Sequence, residues 1–199
     1  MARKSRRGGA TPQDGGAAGS APSPGADTPP SGRSGTFSAI GIAYLKFAAL
    51  LLGLFAISQT SLADRLIFEP VATGEAKVAA LLLGIGGMDA QAQGSIIRSG
   101  SFAAMVDTNC TGLFVMFIYL SALVAYPSGL REKVLGVALG LAALFALNLV
   151  RVSSLVVVGA ARPDMLNVAH YLVWQSVMIV ATLCLWLVWA ERVADAPGH

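Results

Sequence analysis

Three residues in this 199-residue chain carry side chains able to act together on an acyl group: Cys110, Arg151 and His170. A thiolate is a strong nucleophile, and a neighbouring cation can lower a thiol from its usual pKa of about 8.5 toward neutrality. An imidazole can take the thiol proton and later hand it to a leaving amine, as general base and then general acid. A guanidinium can hold a substrate carbonyl, or the oxyanion that develops from it. Together these groups point to acyl transfer through a thioester. Each also has a plainer reading: Cys110 as a small buried hydrophobe, His170 as part of an aromatic belt with Tyr171 and Trp174, Arg151 as a side chain snorkelling to headgroups. Convergence favours the joint reading, because three separate segments each bring one of these residues to the same depth on the same side.

Arg151 is the strongest single signal. It interrupts the apolar stretch ALFALNLVRVSSLVVVG, where a lipid-facing arginine costs several kcal/mol even on the mildest scale. Asn148 lies three residues earlier on the same helix face and could hydrogen-bond the same group. Cys184 sits in an otherwise apolar run without a polar partner nearby, and is read as packing. Cysteines so placed argue against a disulfide. With neither a CxxC motif nor a zinc-type cluster in the sequence, no cofactor or metal is expected.

The elements that must position these residues belong to a membrane. Hydrophobic residues make up 55% of the chain and charged residues 13%, with a mean hydropathy of +0.65; a soluble domain carries about a quarter charged residues. A bilayer core takes roughly 20 apolar residues as helix, and four runs qualify: 41–62, 111–126, 134–159 and 171–190. The segment 75–85 is apolar but too short to span, and reads as a helix at the interface or packed on the bundle. In 93–106, two apolar patches flank Arg98-Ser-Gly-Ser, a hairpin signal. The expected fold is an all-α integral membrane protein. Its four-span or five-segment helical bundle occupies 37–192 and carries a short extracytoplasmic helix and a hairpin-like loop. Residues 1–36, rich in Gly, Pro, Ser and Ala, lack the large apolar side chains needed to offset ordering, so a disordered cytoplasmic tail is expected there.

The net charge of +3 does not describe a nucleic-acid binder. Its basic part, Met1-Ala-Arg-Lys-Ser-Arg-Arg, reads as a topology signal or a contact with membrane lipids. Basic residues at the N-terminus, in the 127–133 linker (Arg131, Lys133) and near the C-terminus (Arg192) put all three in the cytoplasm. Loops 63–110 and 160–170 are then outside, together with the proposed site.

The ordered set Asn109-Cys110-Thr111-Gly112-Leu113, then Pro127 with Arg131, then Asn148-Leu149-Val150-Arg151, then His170 resembles the exosortase/archaeosortase family of membrane transpeptidases. The likeness runs from about residue 41 to 190, and the short length and the VAHYLVWQ stretch are most similar to the small exosortase H branch. The resemblance implies Cys110 as nucleophile, His170 as acid–base and Arg151 as oxyanion or carbonyl partner. It further implies that the partners are exported proteins ending in a short motif, a transmembrane helix and a basic tail, cleaved at the periplasmic face of a bacterial cytoplasmic (inner) membrane. Two rivals stand beside this reading. A thiol oxidoreductase would need a proximal cysteine pair that this sequence lacks, and a non-enzymatic scaffold would use Arg151 to pair with a partner helix.

Overall fold

Long apolar runs with few breakers become helices, and the breakers mark where the chain turns. The computed structural model describes residues 33–108 and 110–194. Its helices are α1 (Arg33–Ser58), a single turn α2 (Ser61–Ala63), α3 (Glu69–Ile85), α4 (Leu113–Ala125), α5 (Leu130–Ala161) and α6 (Gln175–Ala194). Thr60 caps α2 by accepting a hydrogen bond from the Ala63 amide. A π-helical turn, Asp64–Phe68, then feeds α3, and a second one, Val168–Trp174, feeds α6. The tail expected over 1–36 lies outside the described residues except for 33–36, which begin α1.

The chain belongs in a membrane. Three helical segments, Ile40–Ser58, Leu130–Ala161 and Val168–Ala194, are long and apolar enough to cross one. The expected span over 111–126 is realised as the 13-residue α4, about 20 Å long at 1.5 Å per residue and so shorter than a hydrocarbon core of roughly 30 Å. The hairpin expected over 93–106 is part of a small three-stranded antiparallel sheet, β1 (Gln91–Gln93), β2 (Ile96–Ser99) and β3 (Phe102–Met105), in that order. Sequence reading missed β1, whose three residues are too short a run to signal a strand and pair Gln91 with Arg98 and Gln93 with Ile96. The segment read as 75–85 is the longer α3, packed against α5 and the sheet.

α5 organises the rest. Its buried residues Gly136, Gly140, Leu144, Asn148, Val152 and Val156 recur every four positions, with Arg151, Leu155 and Gly159 beside them. That spacing lines up one stripe along the helix. The stripe meets two apolar cores. One joins Ala72, Ala76, Ala79 and Leu83 of α3 and Ile97 of β2 to Val152 and Val156. The other joins Met116, Tyr119 and Leu123 of α4 to Leu144, with Trp186 and Trp189 of α6 against it. Asn148 and Arg151 lie on the stripe between them, so the polar layer is roofed and floored by apolar packing.

The glycines in this stripe let helices approach closely. A Cβ at Gly140 would overlap the ring of Tyr119, and that ring is fixed: its hydroxyl donates to the Gly136 carbonyl at 2.9 Å and the residue is buried. Gly53 in α1 has nothing within 4 Å of a would-be Cβ. Replacing a mid-helix glycine by alanine gains about 1 kcal/mol of helix propensity, whereas overpacking costs about 1–3 kcal/mol. Gly140→Ala should therefore lower the thermal unfolding midpoint in detergent by a few degrees, while Gly53→Ala leaves it level or raises it. An unchanged or raised midpoint for Gly140→Ala would contradict this packing.

Candidate active site

Cys110 sits in the turn that enters α4. Asp107 builds the turn: its main-chain carbonyl accepts from the Cys110 and Thr111 amides at 2.9 and 3.2 Å, and its Oδ1 also accepts from the Cys110 amide at 3.0 Å. An Asp side chain bonding main chain a few residues on is the usual way such a turn is held. Thr111, fully buried, donates its hydroxyl to the Thr108 carbonyl at 2.8 Å. Gly112 then takes a left-handed conformation, φ 68°, which glycine adopts without steric cost. A side chain there is excluded twice over, since a Cβ would also come within 2.9 Å of Asn148 Cγ. The small Thr-Gly pair after Cys110 thus lets the turn press against α5.

His170 reaches the same point from the far side. It lies in the π-helical turn Val168–Trp174, a local widening of the helix often found at functional sites. Its Nε2 is 3.6 Å from Cys110 Sγ. With the proton on Nδ1, the thiol donates to Nε2. The imidazole also rests against Tyr171, with ring centroids 4.5 Å apart.

Arg151 is buried within its own chain, 3% exposed. Its charge acts on both Cys110 and Glu75, and its Nε finds no hydrogen-bond partner among the described residues. A buried guanidinium normally uses its donors; this one keeps a spare N–H in the layer that also holds Glu75. Asn148, fully buried, does not act on the same group as Arg151 in the way the sequence suggested. Its Nδ2 donates to the main-chain carbonyl of Cys110 at 2.8 Å and to Glu75 Oε1 at 3.0 Å. Cys184, read from the sequence as packing, is instead a free thiol on the exposed face of α6.

The electrostatics differ from expectation. The Cys110 thiol is pushed up to about 11 rather than down, first by burial, then by the charge and hydrogen bond of Asp107; Arg151 pulls the other way but with less effect. The resting pair is therefore a neutral thiol facing an imidazole. Glu75 of α3 and Asp107 are the members that sequence reading missed. Glu75 shares the helical stripe of Ala72, Ala76 and Ala79 that packs on α5, and a carboxylate on an otherwise apolar, small-residue stripe was the available signal. For Asp107 it was an Asp three residues before the cysteine.

Residues 35–190 match the family described as transmembrane exosortase (Exosortase_EpsH). The chain is a member of the transmembrane exosortase family. No curated protein and no solved structure matches it. The matched region takes in every helix that carries a site residue, and membership in the exosortase family points to a membrane protease or transpeptidase role.

A thiol held near 11 has a reactivity that can be read directly. In a Cys184→Ala background, alkylation of Cys110 by iodoacetamide at about pH 8 should run on the order of 100-fold below a thiol of ordinary pKa. The rate should still climb about tenfold per pH unit at about pH 9–10. Asp107→Asn keeps an oxygen for the turn but removes the charge, so it should move the profile to lower pH and speed alkylation near neutrality. A wild-type midpoint below about pH 8 would contradict this electrostatic assignment.

Proposed function

We propose that this exosortase-family chain is a cysteine protease-transpeptidase, which cleaves the C-terminal sorting signals of exported proteins on the outer side of the cytoplasmic membrane. The observation that carries this reading is the 3.6 Å approach of Cys110 Sγ to His170 Nε2, with the buried Arg151 beside them. That separation is short enough for proton transfer once a substrate tightens the contact. Burial of Arg151 within its own chain also weighs against the scaffold alternative, in which that side chain would be turned toward a partner helix.

The chemistry follows from the neutral resting pair. As the thiol sulfur attacks the scissile carbonyl carbon, the thiol proton passes to His170 Nε2. The carbonyl π electrons move to oxygen, and the resulting oxyanion is met by the guanidinium of Arg151. Collapse of this tetrahedral species breaks the C–N bond, with His170 returning its proton to the leaving amine. The segment that leaves comprises the transmembrane helix and basic tail, and the rest of the protein stays on Cys110 as a thioester. An amine on an acceptor, or water, then attacks that thioester, and the thiol is regenerated. Keeping the thiol protonated between turnovers protects it from oxidation and alkylation, both of which act on the thiolate.

Accumulation of uncleaved precursor in cells tests this. Cys110→Ala should abolish processing while the protein still inserts. Arg151→Lys keeps the charge but loses the planar, multi-donor head, and should cost on the order of 100-fold, comparable to losing an oxyanion donor. Cys184→Ala should be silent. Normal processing by well-expressed Cys110→Ala would overturn the enzyme reading.

A further inference from the structure

Glu75 is fully buried in α3, against the layer that holds the proposed nucleophile. Its Oε1 accepts from Asn148 Nδ2 at 3.0 Å, and the same amide donates to the Cys110 carbonyl at 2.8 Å. Two acceptors facing one NH2 group fix which way the amide points. Its Oε2 has no hydrogen-bond partner among the described residues. A buried carboxyl that is only half satisfied costs stability. Burial pushes it up to about 7, against the opposing hydrogen bond of Asn148 and charge of Arg151. The charged residues on the other elements packed against α3, Asp64 and Arg65 of the π-helical turn and Arg98 of β2, are exposed. Arg151 is thus the charged group that meets Glu75 inside the fold.

We propose that Glu75 is a positioning residue for the Cys110 nucleophile, acting through Asn148: it orients the amide that holds the Cys110 main-chain carbonyl, and so sets the sulfur against His170. This rests on Cys110 being the nucleophile. The chain Glu75–Asn148–Cys110 links three elements, α3, α5 and the turn before α4, that share no other polar bridge among the described residues. Without the carboxyl oxygen, the Asn148 amide loses one of its two acceptors and can rotate. The Cys110 turn then keeps Asp107 as a tether but loses its fixed distance from α5. Glu75 also faces the buried charge of Arg151, so removing the carboxyl alone costs stability, and it is the alkylation rate that separates positioning from support.

The test uses the full-length protein in detergent, in a Cys184→Ala background, with iodoacetamide as the probe of Cys110. Glu75→Met removes the acceptor at similar volume, and Glu75→Gln keeps it. Glu75→Met should change the alkylation rate about tenfold, Asn148→Ala by a similar factor, and the double variant by no more than either alone, because one acts through the other. Glu75→Gln should stay within about twofold of wild type. Thermal midpoints add a readout of the carboxyl's own titration. The carboxyl lies above its ordinary value of 4.5, so the folded state holds its proton more tightly and the wild type loses stability as pH rises from there through about 7. Glu75→Met should flatten that decline and melt below wild type, because it leaves Arg151 buried without its carboxyl. Additive effects in the double variant, or an alkylation rate in Glu75→Met equal to wild type, would overturn the proposal. So would a Glu75→Gln protein whose alkylation rate departs from wild type as far as that of Glu75→Met, which makes the charge and not the acceptor oxygen the operative feature. These outcomes are separate from the enzyme reading, which stands or falls on precursor processing by Cys110→Ala.

Discussion

A guanidinium at position 151 of a membrane-crossing helix cannot face lipid without a cost of several kcal/mol, and much of the surrounding architecture is arranged to keep it inside. α5 turns a stripe at every fourth residue inward, and Arg151 lies at its edge beside Asn148 and Val152. α3 covers that stretch with alanines, small enough for the two helices to pack closely, and contributes Glu75 as the opposing carboxyl. The sheet packs on both α3 and α5, with Ile97 fully buried in their shared core. Below, the aromatic packing of Tyr126 with Trp186 and Trp189, at ring centroids of 6.1 and 5.6 Å, clamps α4 to α6. The Trp189 indole also donates to the Glu132 carbonyl at 3.0 Å, fastening α6 to the start of α5. The two ends of the bundle are thus held independently, and the charged layer lies between them.

That layer has more polar atoms than partners. Glu75 Oε2, Asn148 Oδ1 and Arg151 Nε are all buried without a hydrogen bond among the described residues. In a well-packed interior such atoms are rare, and here three of them gather in one layer. The high thiol pKa fits the same picture. Arg151 favours the thiolate, yet burial and Asp107 outweigh it, so the thiol keeps its proton near neutral pH.

The helical membrane architecture was legible in the sequence because uninterrupted apolar runs leave few alternatives in lipid. The Cys110, Arg151 and His170 set was legible because each is costly or conspicuous where it stands: an arginine in an apolar run, a histidine at a helix mouth, a cysteine before a Thr-Gly pair. What was not legible depends on packing between distant segments. α4 stops at 13 residues because Tyr126 turns to an extended conformation before Pro127, a boundary that hydropathy alone blurs. β1 exists only through its partner β2. Glu75 looks in one dimension like the polar start of a short apolar segment, whereas in three it faces Asn148, 73 residues away. The sign of the Cys110 shift was likewise hidden. It turns on how deeply the turn is buried and on Asp107, three residues upstream, and not on the arginine that stands out in the sequence.

The central claim is covalent chemistry at Cys110, and mass spectrometry of the trapped protein tests it most directly. Membranes containing the chain and a precursor protein would be quenched at low pH during turnover, and the tryptic fragment bearing Cys110 examined for added mass. Cys110 should carry a thioester to the exported part of the precursor, released by neutral hydroxylamine and absent in Cys110→Ala. Cleavage of the precursor with no acyl group on Cys110, or with the adduct on Cys184, would contradict it.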